Sequence, residues 1–240
     1  SLNGGTYNYT FNTSGNDNYT SATISQILTI SPAENPVALL LNGLAENEEV
    51  VYEQPINASA SSIGGTVHLF RSADGITYEQ IDEKNNQNDY LAFGSYTYLA
   101  NATGNENYQD NATGISWTLS VTKKATSCDM LFNPDSTAPY NTSVNVSCLC
   151  TNPESTTELY RDGANVTDEL NQEVILGVNE YNYICNTSES QNYSFAEDSG
   201  LLNITQIPSS VETYINNQRQ NRTVFVGVDV LLNSSLIHGE

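Results

Sequence analysis

Cations, histidine and long apolar runs are what this chain of 240 residues has least of. Seven Lys and Arg stand against 28 Asp and Glu, a formal net charge of −21. A surface this acidic repels phosphate backbones, so nucleic acid is not an expected partner, and anionic lipid headgroups are disfavoured in the same way. The ordinary use of such charge is colloidal, keeping neighbouring surfaces soluble and apart. With only His68 and His238 in the chain, a Ser–His–Asp arrangement would have to be assembled across domains. His68 lies in an alternating segment and reads as an ordinary strand residue. Acidic pairs such as Glu48 and Glu49 read as a solvated loop, and no phosphate loop, H-E-x-x-H or EF-hand loop occurs. The sequence therefore predicts no enzyme, no cofactor, and no catalytic, cofactor-binding or metal site. No run of about 18 apolar residues occurs, so direct membrane insertion of this segment is not expected. Residue 1 is Ser and no basic-then-apolar leader precedes the first motif, so the chain reads as a mature or excised piece whose sorting signals lie elsewhere.

What the chain has in excess is Asn, Tyr and repetition. The stretch YNYTFNTSGNDNY (Tyr7–Tyr19) returns as YTYLANATGNENY (Tyr96–Tyr108) and as YNYICNTSESQNY (Tyr181–Tyr193). All three fit Y-x-Y-x-x-N-x-[S/T]-x-x-x-N-Y without a gap, and they start 89 and 85 residues apart. The chain is thus a tandem array, with units large enough for one core each. Residues 1–30 read as the last hairpin of a partial unit, and 31–124 and 125–207 as two complete units. Residues 208–240 read as the opening strands of a further partial unit, with Val224, Val226, Val228 and Val230 on one face.

Within each copy the alternation has period two. Tyr7, Tyr9 and Phe11 share one face, as do Tyr96, Tyr98 and Ala100, and Tyr181, Tyr183 and Cys185. These are half-buried strands with aromatics inward, each followed by a polar turn and a second alternating strand: ISQILTI, ISWTLSV and GLLNITQI. Upstream, TVHLFRSADG and TTELYRDG run from a short strand into an Asp-Gly turn, a hairpin signal. No ten-residue window has helical periodicity. About seven short strands per unit predict an all-β chain of tandem β-sandwiches.

Tyr183 stands two residues before Cys185 on the penultimate strand, and that Tyr-x-Cys is similar to the tyrosine corner and second core cysteine of immunoglobulin-like domains. Tyr9 and Tyr98 repeat the tyrosine, with Phe11 and Ala100 in place of cysteine, and no Trp stands on the third strand. The resemblance is therefore to Ig-like architecture, not to an antibody-type domain. More narrowly, NVSCLCTNPE…LYRDGANVT…YNYICNTSESQNYS resembles the tandem Ig-like repeats of large archaeal cell-surface and extracellular glycoproteins. It covers most of the chain and implies a location more than an activity. In SVNVSCLC, the faces place Val144, Val146, Cys148 and Cys150 inward. Cys185, late on its strand, should face the middle of the opposed one near Cys148. Cys128 starts a strand whose antiparallel neighbour ends at Cys150. The expected bridges are Cys148–Cys185 and Cys128–Cys150, one of three connectivities. The rival, a C-x-C metal site, lacks a nearby His.

Fourteen of the 31 Asn stand in N-x-[S/T] with x not Pro: Asn8, Asn12, Asn18, Asn57, Asn101, Asn111, Asn141, Asn145, Asn165, Asn186, Asn192, Asn203, Asn221 and Asn233. Such sequons accept covalent N-linked glycans only in secreted or surface contexts, and four Cys in one repeat agree with an oxidising compartment. The expected location is extracellular or cell-surface. Asn12, Asn101 and Asn186 share one outward template position, predicting a glycan row along one sheet edge that would hinder foreign strands from pairing. Six residues on, Asn18 and Asn192 are sequons while Asn107 is not, and there Asn suits a turn equally well.

Other chemistry finds less support. The unit junctions ISPAENP, VTKKATS and ITQIPSS hold a single carboxylate, Glu34, too few for a calcium linker. Lys84 in a polar loop and Lys123 and Lys124 in a junction are poorly placed for a buried Lys–Asn cross-link. A glycosidase would need a carboxylate pair in a cleft, which the sequence does not place. The function expected is a glycosylated extracellular structural protein, a component of a surface filament, stalk or coat built from Ig-like repeats. The alternative is a cell-surface adhesin or receptor binding a ligand through its sandwich loops. Expected partners are the glycans themselves and further repeats, through head-to-tail self-association or as parts of a longer repeat chain. Residues 208–240 and 1–30 together fall short of a complete unit by roughly one hairpin, which favours the longer chain.

Overall fold

In all three template copies the period-two alternation runs as strand. A computed structural model describes residues 1–238; the His238 side chain and residues 239 and 240, the tip of the predicted 208–240 segment, lie outside that description. Two units are resolved, Ser1–Ala125 with Gln191–Ser194, and Thr126–Ser190 with Phe195 onward. The first opens with a hairpin of β1 (Gly5–Thr13) and β2 (Ala22–Ile30), in unbroken antiparallel register. It continues through β3 (Val37–Leu41), β4 (Glu48–Val51), β5 (Ile56–Ser62), β6 (Thr66–Ser72), β7 (Glu79–Gln80), β8 (Gln87–Asp89), β9 (Gly94–Thr103) and β10 (Asn111–Thr122). One sheet has the order β3-β5-β8 and the other β4-β10-β9-β6-β7. Every ladder is antiparallel except β4 on β10.

The second unit repeats the plan with β11 (Cys128–Asn133), β12 (Thr137–Pro139), β13 (Ser143–Cys150), β14 (Thr157–Arg161), β15 (Ala164–Asn165), β16 (Glu173–Ile175), β17 (Asn179–Thr187) and β18 (Ala196–Thr205). Its sheets run β11-β13-β16 and β12-β18-β17-β14-β15, again with one parallel ladder, β12 on β18. An antiparallel pair follows, β19 (Ser210–Ile215) with β20 (Leu232–His238). The fold is all-β, built of Ig-like sandwiches.

Alternation also decides what is buried. β9 turns Tyr98, Ala100 and Ala102 inward and leaves Thr97, Leu99 and Asn101 on the open face. Leu39, Leu41, Ile56, Leu69 and Leu119 complete the first core; Val144, Val146, Leu159, Leu202 and Ile204 complete the second. Each such side chain contributes about 1.5–3 kcal/mol. Registers Val37↔Ser62 and Cys128↔Cys150 correspond, so Ala60 and Ala100 stand where the second core has Cys148 and Cys185. Thr187 takes the place of Ala102, fully buried, and its hydroxyl has no hydrogen-bond partner among the described residues. Thr187→Val, which keeps the Asn186 sequon, is expected to stabilise the second unit by about 1–2 kcal/mol, read as a higher Tm. An unchanged or lower Tm would show the hydroxyl to be satisfied.

Three local features depart from expectation. The tyrosine-corner bond comes from the first template tyrosine: the hydroxyls of Tyr7, Tyr96 and Tyr181 donate to the carbonyls of Asn3, Ala92 and Gly177 at 2.9, 3.0 and 3.1 Å. Tyr98 and Tyr183 lie one inward position further along. There they meet cross-strand partners Arg71 and Arg161 instead of the loop backbone. Arg71 pairs with Asp89 at 2.7 Å and Arg161 with Glu169 at 3.1 Å. Burial pushes the Asp89 carboxyl up, but bonds from Arg71 and the Tyr90 amide outweigh it and hold it below the ordinary carboxylate range.

Of the two Asp-Gly turns, only Asp162–Gly163 is a two-residue hairpin, both residues at positive φ. Asp74 instead organises a longer loop, accepting the amides of Thr77 and Ile76 and the Ser72 hydroxyl. Finally, Val224, Val226, Val228 and Val230 form no strand; the segment is irregular, with a turn at Gly227. In the complete units the corresponding segments, β4 and β12, are held by a parallel ladder to β10 or β18, and the described residues supply no such strand here.

Candidate functional site: acceptor asparagines, cystines and loop tips

The outward asparagines are spread over both units. Asn8, Asn12, Asn18, Asn141, Asn165, Asn203, Asn221 and Asn233 are exposed, whereas Asn57, Asn101, Asn111, Asn145 and Asn186 are half-buried. Asn111 Nδ2, the atom a glycan would bond, donates to Asn35 O at 2.9 Å. Asn192 is 7% exposed and its Oδ1 accepts the Phe93 amide at 2.9 Å, a long-range bond and not the local one of a turn. Asn101 and Asn186 do not lie at an edge. β9 and β17 are the central strands of their five-stranded sheets, so both side chains stand on an open face, flanked by neighbouring strands. Asn12 lies on β1, which pairs with β2.

The four cysteines converge on the second core. Cys128 bonds Cys150, its direct cross-strand partner, with Cα atoms 4.1 Å apart, close to the spacing of a non-hydrogen-bonded antiparallel pair. Cys148 bonds Cys185, joining β13 to β17 across the sandwich, Cα to Cα 6.2 Å. The sulfurs of Cys128, Cys150 and Cys185 lie within 4.8 Å of one another, but as disulfides they offer no thiolate to a metal.

Titratable groups elsewhere are tied into structure. His68 Nδ1 bonds Asp82 Oδ2 at 2.9 Å while Asp82 Oδ1 accepts the Leu69 amide at 2.7 Å. Glu53 is hydrogen-bonded by Lys124 and by the Tyr193 hydroxyl, which together hold its carboxyl below the ordinary range. The depression lined by Glu34, Asn35, Pro36, Gln109, Asp110 and Asn111 has about 220 Å³ and contains no general-base or nucleophile pairing.

Sequence reasoning missed the loop tips that close each template copy. Asn16 Oδ1 accepts the amides of Asn18 and Tyr19 at 2.9 and 3.1 Å; Asn105 Oδ1 accepts those of Asn107 and Tyr108 at 2.8 and 3.1 Å. Gly15 and Gly104 pass so close that a Cβ would lie 2.5 and 2.1 Å from the carbonyl oxygens of Tyr19 and Tyr108. The signal was present in the recurring Asn-Tyr that ends the template, which reads as turn chemistry until its neighbours are seen.

No family model matches the sequence, and no curated protein matches it. Among solved structures it is similar to the fibronectin(III)-like modules of Clostridium thermocellum CbhA: 14% identity, TM-score 0.27, 70% of this chain and 94% of that one. It is also similar to murine CEACAM1b, at 12% identity and TM-score 0.26, over 71% of this chain and 100% of that one. Against the N-terminal four Ig domains of Dscam1 isoform 7.44 the identity is 11% and the TM-score 0.30, over 76% of this chain and 51% of the other. The Ig-like architecture rests on the strand order and register described above.

Proposed function

We propose that this chain is a glycosylated, non-enzymatic structural protein of the extracellular surface, a component of a filament, stalk or coat built from Ig-like repeats of the archaeal kind. One observation carries the reading: Asn12, Asn101 and Asn186 recur at one template position, each on the strand face opposite its template tyrosines. Glycans there, with the net charge of −21, would cover and solubilise sheet faces that tandem stacking leaves open. Two cystines suit an oxidising exterior. The shifted titratable groups, Arg71 with Asp89 and Arg161 with its neighbours, bind strands to one another, which supports a role without catalysis.

The test is glycopeptide mapping together with electron microscopy of native, undigested material. Glycan on Asn12, Asn101 and Asn186, none on Asn192, and regular filaments or a coat are expected. Bare asparagine at all three template positions would end the reading.

A further inference from the structure

The Leu-aromatic-Arg run that leads into each Asp-Gly turn has an evident use for two of its three side chains. Leu69 and Leu159 are buried in the cores, and Arg71 and Arg161 turn inward to the hydroxyls of Tyr98 and Tyr183. Phe70 and Tyr160, between them, face outward. Both are half-buried, yet neither belongs to a core. Their direct cross-strand partners, Leu99 on β9 and Ile184 on β17, stand outside the cores in the same way. Each sandwich thus carries an aromatic ring set opposite an aliphatic side chain on the outer face of its five-stranded sheet.

The acceptor asparagine is the next outward residue of the same strand. Asn101 follows Leu99, and Asn186 follows Ile184, with His68 and Glu158 as their direct cross-strand partners. Phe70 and Tyr160 are then the diagonal neighbours of the two asparagines, about 7–8 Å away across an antiparallel pair and within reach of a long side chain. The side-chain amides of Asn101 and Asn186 make no hydrogen bond among the described residues. Those of Asn57 and Asn111 are committed, to Asn88 and to the Asn35 carbonyl. His68 stands in a polar cluster with Asp82 and Gln80, and Glu158 accepts the Tyr160 hydroxyl at 2.8 Å. Apolar and aromatic area flanked by a few hydrogen-bonding groups is what orients a small polar ligand, and a sugar ring offers a C–H face to the one and hydroxyls to the other.

We infer that the first sugar of each glycan lies down on its sheet: from Asn101 onto Phe70 and Leu99, and from Asn186 onto Tyr160 and Ile184, with His68 or Glu158 at its rim to hydrogen-bond a hydroxyl. The tether selects this occupant. A sugar bonded to Asn Nδ2 is held beside the ring at high effective concentration, so seating it costs little translational freedom, and any other ligand would have to displace it. Both sandwiches build the seat at the same register from different residues, Phe with Leu in one and Tyr with Ile in the other. The exposed acceptor Asn203 has no such seat: its neighbours on β17 and β12 are Glu180, Asn182 and Thr137. The inference rests on the glycosylation proposed above.

The full chain, secreted from a eukaryotic host and trimmed to a single N-acetylglucosamine at each occupied asparagine, tests it by NMR of the sugar protons. Ring currents should move the protons of the Asn101 and Asn186 sugars upfield of those at Asn203. Phe70→Leu, which keeps the site apolar but removes the ring, should abolish the displacement at Asn101 alone, and Tyr160→Leu should abolish it at Asn186 alone. Sugar protons at Asn101 and Asn186 that resonate with those at Asn203 would overturn the seat. So would a displacement untouched by the leucine variants, or a host that loads Asn203 and leaves Asn101 and Asn186 bare. Sugars that are attached but not stacked leave the proposed glycosylation standing. Bare Asn101 and Asn186 in native material defeat that glycosylation, even where a sugar attached by the host still stacks.

Discussion

Reducing the cystines is expected to split the thermal unfolding of this chain into two well-separated transitions. All four cysteines lie in the second sandwich, and the first has none. The bridges close segments of 22 and 37 residues, for which chain entropy gives about 3–4 kcal/mol each. Their loops overlap between Cys148 and Cys150, so the two contributions do not simply add. Against a typical domain stability of about 5–15 kcal/mol, losing both leaves the second sandwich near its unfolding threshold at 37 °C. Calorimetry with and without reductant reads this directly. The lower transition should fall steeply while the other stays in place. Two transitions moving together would mean that the sandwiches do not unfold separately, and no movement would mean that the bridges are not holding the second core.

Tyr98→Ala should be nearly as costly, in the other sandwich. The ring is 1% exposed at the centre of the first core, among Leu39, Leu69 and Leu119. Deleting a buried aromatic ring typically costs about 3–5 kcal/mol through lost transfer energy and the cavity left behind. The hydroxyl contributes less: it is hydrogen-bonded by Arg71, which keeps Asp89 as its partner when the hydroxyl goes, so Tyr98→Phe should cost only about 1 kcal/mol. Urea unfolding would show the midpoint of the first sandwich falling for Tyr98→Ala and hardly moving for Tyr98→Phe. Equal losses in the two variants would put the hydroxyl, not the ring, in charge of that site.

Within the two sandwiches, strand positions, inward faces and the all-β architecture were legible because period-two alternation records burial directly, as in Tyr98–Ala100 and Val144–Val146–Cys148; in β1 the same alternation leaves Tyr9 and Phe11 exposed, since no second sheet of the described residues covers them. Cysteine placement was legible for the same reason: a face and a distance along the strand limit what each sulfur can reach. Properties belonging to neighbours were not. Val224–Val230 alternates like a strand, but a strand needs a ladder. Asn101 and Asn186 are outward by periodicity, yet nothing local says that their strands are central rather than edges. Tyr181 and Tyr183 look equivalent on one face, and only the backbone ahead of the strand decides which hydroxyl meets it. Asn192 carries a sequon like the others, and nothing local says that its Oδ1 accepts the amide of Phe93, 99 residues away in sequence.

The parallel ladders have a consequence under tension. In the first sandwich, β3 to β10, β4 comes early and β10 last, paired from Leu119↔Glu48 to Thr122↔Val51; β12 and β18 repeat the arrangement from Thr137↔Asn203 to Pro139↔Thr205. Parallel strands pulled from opposite ends are loaded in shear, so the bonds of the ladder share the force instead of opening one at a time as an antiparallel hairpin does when its ends are drawn apart. Resistance to rupture is then set by the unfolding rate and not by equilibrium stability. Should the second sandwich give way, the Cys148–Cys185 bridge still withholds its 37-residue loop from extension, so that unit would lengthen less than the first.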